Sequence, residues 1–388
     1  MNILVTTNSY FFDSSAISVE EPLFLNPDGT RKVFPIGWEG KGRYIPGSLR
    51  LYRASDNTLI DKSIYHEMDN RVSFEFNTAP AAGNYTDIKV KYLVDPVDYA
   101  FSQGTSDSPY PGEEYFLFPN WNNAQGIGAA FWVGKYAASR ADATTTSQGS
   151  STTPVSKKGK CSWVNTRWDA QVAACPTKGT GFHCIRNREW VSIALWCDKM
   201  GLQVYGNING YNTGGTNIDM RGIGTDITSA MSDASDANHK ILTGMGPDNF
   251  RHNGKSGGIS DLAGNVWEAV DGLQLRNGVP YILSPDNSTY VALAASDISS
   301  TMLTNATINY LNMNTNDLLN EGLPVNSAGY TVQVNKASMW QNRSGTRICY
   351  RGGNCAYGSG AGVWALALNN DVSNSHWSAG FRLARALL

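Results

Sequence analysis

Apolar and polar residues alternate most cleanly within the first hundred positions. Ile88, Val90, Tyr92 and Val94 alternate with Lys89 and Lys91, and Val72, Phe74 and Phe76 alternate with Ser73 and Glu75. A period of two places one set on a single face of an extended chain, so both stretches are predicted as half-buried strands. Residues 77–84, with Pro80 and Gly83, read as a turn-rich connection, and Leu49 and Leu51 suggest a further strand. Residues 1–105 are therefore predicted to form a small antiparallel, Ig-like β-sandwich. The polar stretch SQGTSDSPYPGEE follows, and its Gly, Pro and Ser content marks residues 106–115 as a linker. Residues 116–388 are then a second domain. Within it, 141–156 is rich in Thr and Ser and reads as an exposed loop.

The period changes after residue 160. Trp190, Ile193, Ala194 and Cys197 fall at i, i+3, i+4 and i+7, one face of a helix. Asn187 is its predicted N-cap, Glu189 lies in its first turn and Gly201 is its predicted stop. A shorter helix is predicted over 166–175, with Trp168 and Val172 inward. From Gly206 onward the chain carries little helical period, and Gly, Asn and Ser punctuate short apolar pieces. The whole reads as α+β, with most of its length in strands and loops.

Composition narrows the function. The chain has 388 residues, 41% hydrophobic and only 16% charged. A soluble domain usually carries about a quarter charged residues; here Asn, Ser, Thr and Gly replace them, the texture of an extracellular or virion protein. Net charge is −2, and Lys157, Lys158 and Lys160 form the one basic run, so the footprint that nucleic acid requires is missing. No apolar run reaches membrane-spanning length. Residues 1–12 lack the basic start and long apolar stretch of a secretory signal. Location on a virion or a cell surface is expected, reached by lysis or on a particle.

Six cysteines lie at 161, 175, 184, 197, 349 and 355, none in a CxxC pair. Buried free thiols are expected, with one disulfide, such as Cys349 with Cys355, left open. The histidines at 66, 183, 239, 252 and 376 form no ligand-spaced cluster. No cofactor and no metal is expected.

The residues that carry chemistry are loop and frame residues. In Asp261-Leu-Ala-Gly-Asn-Val-Trp-Glu268, Gly264 and Asn265 suit a tight turn with positive φ, after which Trp267 enters the core. Glu268 is placed to pair with a buried arginine, Arg351 or Arg382. Gly352 and Gly353 permit close backbone approach. Phe381 and Leu383 point one way along the last strand and Arg382 the other. Both arginines are expected to be structural, fixing loops through several hydrogen bonds.

Phe131-Trp-Val-Gly-Lys-Tyr136, Arg186-Asn-Arg-Glu-Trp190, Gly258-Ile-Ser-Asp-Leu-Ala-Gly-Asn-Val-Trp-Glu268, Tyr350-Arg-Gly-Gly353 and Gly380-Phe-Arg-Leu-Ala-Arg385 occur in this order. The ordered set resembles the formylglycine-generating-enzyme, or sulfatase-modifying-factor, type of C-type lectin fold over about 115–388. That resemblance implies either a scaffold or a metal-dependent oxidase. The oxidases of the family hold copper with a cysteine pair, and Cys349 and Cys355 do not map convincingly onto it. Calcium near the Gly-Asn-Val-Trp-Glu turn would need oxygen ligands that one segment does not supply.

The stretch from Arg351 to Arg385 resembles the variable region of diversity-generating-retroelement proteins, among them phage tropism determinants. Its frame is Arg351-Gly352-Gly353, Gly358, Ala361-Gly-Val363, Ala365-Leu366, Leu368 and Gly380-Phe381-Arg382, with Trp364 where Phe is usual and Cys355 where Trp is usual. Between frame residues stand Asn354, Ala356, Tyr357, Ser359, Asn369, Asn370, Asp371, Asn374, Ser375 and His376. The resemblance implies that these ten positions, within a variable region of about 342–385, are varied through adenine mutagenesis. They would then display a binding face for a protein or cell-surface ligand, while Trp364 and Trp377 stay scaffold. Tyr, Asn and Ser are also the types that binding loops favour, because they combine amphipathic area with adaptable hydrogen bonding. The alternative left by the resemblance is the metal-dependent oxidase.

Overall fold

A computed structural model of the chain describes residues 17–23, 27–119, 130–208, 211–213, 216–218, 240–284, 286–293, 306–308, 323, 335 and 337–387. The first part builds two three-stranded sheets from β1 (Ser18–Pro22), β2 (Val33–Pro35), β3 (Arg50–Arg53), β4 (Tyr65–Glu67), β5 (Ser73–Phe76) and β6 (Ile88–Leu93). One sheet runs β1-β6-β3 and the other β2-β5-β4, all antiparallel. Alternation decides which side faces in. Ile88, Val90 and Tyr92 are buried while Lys89 and Lys91 stay half-buried beside Glu20. Leu51, Val90 and Tyr92 from one sheet and Phe34, Phe74 and Phe76 from the other belong to a single apolar cluster.

Helix α1 (Pro96–Gln103) follows, capped by the Asp95 carboxylate and ended by Gly104 in the left-handed region. Residues 106–115, read above as a linker, pack against the second part of the chain. Tyr110 meets Phe182 edge-to-face with ring centroids 5.2 Å apart. The buried Glu113 pairs with Lys178 at 2.7 Å and accepts a hydrogen bond from the Tyr115 hydroxyl at 2.8 Å. Ser106, Asp107, Pro109, Pro111 and Gly112 are exposed, so buried pairing within this stretch centres on Glu113.

Most of the remaining described strands form a second pair of sheets; the others make two two-stranded ladders, Ser139–Arg140 with Pro154–Val155 and Tyr211–Thr213 with Thr216–Ile218. β7 (Tyr115–Phe118), β8 (Phe131–Gly134), β9 (Phe182–Cys184) and a C-terminal strand at Leu383–Ala386 make a four-stranded sheet in which the C-terminal strand lies between β9 and β8. An eight-stranded sheet is centred on β10 (Trp267–Arg276), β11 (Thr346–Gly352) and β12 (Gly362–Leu368). The short strand β13 (Ala379–Phe381) adds to β10 in parallel. Two helices pack on β10: α2 (Trp168–Ala174) and α3 (Asn187–Lys199). The chain is thus mainly β with few helices.

One local expectation changes and another holds. The N-cap of α3 is Arg186, and Asn187 is the first helical residue. Asn187 is fully buried, so its side chain is spent on the core instead of the helix end. All six cysteines are buried free thiols, and Cys349 and Cys355 are not joined.

Candidate functional site

The site is built on a turn that only certain residues can make. Asp261, Gly264 and Asn265 all have positive φ (64°, 70° and 59°). A Cβ on Gly264 would sit 2.4 Å from the Asn207 carbonyl oxygen, so the position requires glycine. Asn265 is buried and satisfied: its Oδ1 accepts from the Ile241 N–H (2.9 Å) and the Asn207 amide (3.1 Å), and its Nδ2 donates to the Ile241 carbonyl (3.1 Å). The chain then enters β10 with Trp267 buried.

Glu268 chooses Arg382. The guanidinium donates to both carboxylate oxygens (2.6 and 2.9 Å), to the Gly134 carbonyl (2.8 Å) and to the Ser260 carbonyl (2.7 Å). Both side chains are 0% exposed. Burial pushes the Glu268 carboxyl up to about 7, with Arg382 pulling the other way. Arg351 stands directly across the ladder from Glu268, yet its Nε and Nη2 donate to the Asn187 Oδ1 at 3.0 and 2.8 Å. Trp364 is 0% exposed, and its indole N–H donates to Asp198 at 2.6 Å. Phe381 is buried with its ring against Trp163.

Gly352 and Gly353 have φ of 88° and 81°. A Cβ on Gly353 would lie 2.4 Å from that of Ala361, so this segment runs tight beneath the 358–361 turn. Gly380 borders Val266 less closely, at 3.2 Å for its absent Cβ. The frame therefore fixes where the polar loops emerge.

Five of the ten predicted positions meet in one cleft of about 160 Å³. Asn354, Tyr357, Asn370, Asn374 and His376 line it over a floor of Trp267, Tyr350, Ser378 and Ala379. Tyr357 is 43% exposed, and its ring packs edge-on against Trp267 and Trp340 at 5.3 and 5.0 Å. Asn374 donates to the Tyr350 hydroxyl at 3.4 Å. His376 Nδ1 lies 2.8 Å from the Ser378 hydroxyl. Ala356, Asn369, Asp371 and Ser375 are exposed around the cleft, and Asp371 accepts from the Ser373 backbone N–H to fix its turn.

Asn354 departs from the expected exposed face. It is 3% exposed and follows the tight Gly353–Ala361 approach. Its Oδ1 accepts from the Ala356 N–H at 2.9 Å, which ties the side chain to its own turn. Ser359 lies in a single 3-10 turn at 358–360, and its side chain is outside the described residues. Sequence reasoning missed Tyr350 and Trp340.

A larger cavity of about 360 Å³ is lined by Phe131, Arg186, Glu189 and Leu283 among others, and holds none of the predicted positions. It adjoins Ala130, next to residues 120–129, which lie outside the described residues. The smaller cleft is the better candidate because loop side chains converge on it. Among the described residues, no three His, Cys, Asp or Glu side chains group as metal ligands, and no helix is long and apolar enough to cross a membrane.

No protein-family model matches the chain, and no curated protein matches it. Solved structures do. The chain is similar to the Major Tropism Determinant U1 variant, at 12% identity over 88% of this chain and 73% of that one, with a TM-score of 0.28. It is also similar to the M1 variant (12% identity, 88% and 72% covered, TM-score 0.29) and the I1 variant (14%, 88% and 73%, 0.28). These likenesses are too distant to bear on function, which rests on the residues of the cleft.

Proposed function

We propose that this chain is a ligand-binding protein that presents a diversified face on a C-type lectin scaffold of the formylglycine-generating type. Residues 116–388 form the scaffold, with the variable region at about 342–385. Residues 1–105 attach it to a particle, a cell surface or a partner subunit. The ligand is a protein or cell-surface molecule engaged outside the cell, as in receptor recognition. The observation that carries the reading is the cleft. Tyr357, Asn370, Asn374 and His376 converge there from two loops, while the frame that holds those loops is buried and hydrogen-bonded through Arg351, Trp364 and Arg382. A rigid frame with adaptable polar side chains above it is what a variable binding site needs.

The test needs no natural ligand. A display library randomised at Ala356, Tyr357, Asn369, Asn370, Asn374, Ser375 and His376 is selected against hen lysozyme as an arbitrary target. Most clones are expected to fold, and selected clones to bind at micromolar affinity or tighter. Clones that unfold as readily as Trp364→Ala overturn the reading. The coding DNA gives a second check: AAY codons at the ten positions, a template repeat and a nearby reverse transcriptase gene are expected.

A further inference from the structure

The loop that carries His376 does not stand alone. The Asn165 backbone N–H donates to the His376 carbonyl at 3.0 Å, so the 163–170 segment, more than 200 positions earlier in the chain, abuts the cleft rim. That segment is firmly held. The Trp163 indole donates to the Thr166 hydroxyl (2.8 Å), the Trp168 indole to the Val270 carbonyl (3.2 Å) and the Gln171 amide to the Ala379 carbonyl (2.8 Å). Its outer side chains are open to a partner: Asn165, Arg167, Asp169 and Ala170 are exposed. Arg167 and Asp169 form a surface ion pair at 2.8 Å, with side chains 53% and 46% exposed. Across the rim, Asp371 lies 3.8 Å from Arg347 and also feels the charge of Arg167. Val372 adds an exposed apolar residue beside them.

We infer that the binding face is two-sided: the segment at 165–170, which lies outside the variable region, is its second lip and contacts the same partner as the cleft. This rests on the proposed function above. The chemistry also defines the partner. No Asp, Glu, Lys or Arg lines the cleft, whereas both signs of charge alternate around it at Arg167, Asp169, Arg347 and Asp371. Protein interfaces are depleted of charge at their centre and polar at their rim. The cleft, at about 160 Å³, is well below the roughly 300–1,000 Å³ of small-molecule pockets. The occupant is therefore a folded protein surface that inserts one uncharged polar group and sets charges of both signs against the rim.

The experiment uses several independent lysozyme-binding clones from the library, each otherwise full-length. Hydrogen exchange is compared with and without lysozyme. Amides at 165–170 are expected to gain protection together with those at 369–376 in most clones. Arg167→Ala and Asp169→Ala are expected to weaken binding about three- to tenfold in those clones, chiefly through the association rate. Melting should not move, because an exposed ion pair contributes little to stability. Protection confined to 354–376, with affinity unchanged in both variants, overturns the second lip and leaves the cleft reading intact. A library that folds but yields no binder overturns both.

Discussion

Arg382→Met probes the scaffold at its most committed point. The side chain makes four hydrogen bonds, two of them to Glu268, and neither partner has any solvent exposure. Removing one member of a buried ion pair costs about 3–5 kcal/mol, because the other group must stay charged without a partner or take up a proton. The Gly134 and Ser260 carbonyls are also deprived of this donor, which puts the cost at the upper end of that range. Burial already raises Glu268 from 4.5 to about 7. A carboxyl raised in the fold favours the folded state fully below its unfolded pKa, and that contribution falls as pH climbs through the folded value. Without Arg382 the folded pKa moves higher still. The variant should therefore be destabilised by a further 1.4 kcal/mol or so, relative to the parent, for each pH unit above 7 until Glu268 ionises. Urea unfolding followed by tryptophan fluorescence at pH 6 and pH 8.5 measures both effects. Arg382→Met/Glu268→Leu should recover part of the stability, since the unpaired carboxyl is gone while the two carbonyls still lack this donor. A cost below about 1 kcal/mol, or one equal at the two pH values, would show that the pair does not lock the scaffold.

Trp364→Ala should cost about 3–5 kcal/mol from its buried volume alone. It also deprives Asp198 of the indole N–H that it accepts from at 2.6 Å, which adds to that cost. Asn369→Ala and Ser375→Ala, at exposed positions, should each shift stability by less than about 0.5 kcal/mol in the same unfolding assay. His252 is buried among Phe116, Phe118 and Trp196, and burial lowers its pKa to about 3. It is neutral in the fold but charges in the unfolded chain near 6.5, so stability falls as pH drops from 6.5 toward 3. His252→Gln should remove about one proton from the uptake on unfolding between pH 6 and 4, measured from the pH dependence of the urea midpoint. An unchanged acid slope would place the titration elsewhere.

Much of the local structure was legible in the residues themselves. The alternation at 88–94 specified β6, because a strand with one buried face has no other way to sort its side chains. The i, i+3, i+4, i+7 spacing at 190–197 specified α3. Gly264 and Asn265 announced their positive φ because few other residues accept it, and Gly352 and Gly353 announced the close backbone approach of their segment. What the sequence left open was long-range partnership. Glu268 had two candidate arginines, and its choice of Arg382 depended on Asn187, 164 positions from Arg351, occupying the other guanidinium. Asn354 has the composition of a display residue and is buried, with its Oδ1 accepting from the Ala356 N–H of its own turn. Residues 106–115 look like a solvated linker, yet their Glu113 is matched to a lysine 65 positions away. Local propensity acts through a few neighbouring residues and can be read directly. Which buried polar group meets which is set by where distant strands place them, and only the tertiary structure decides it.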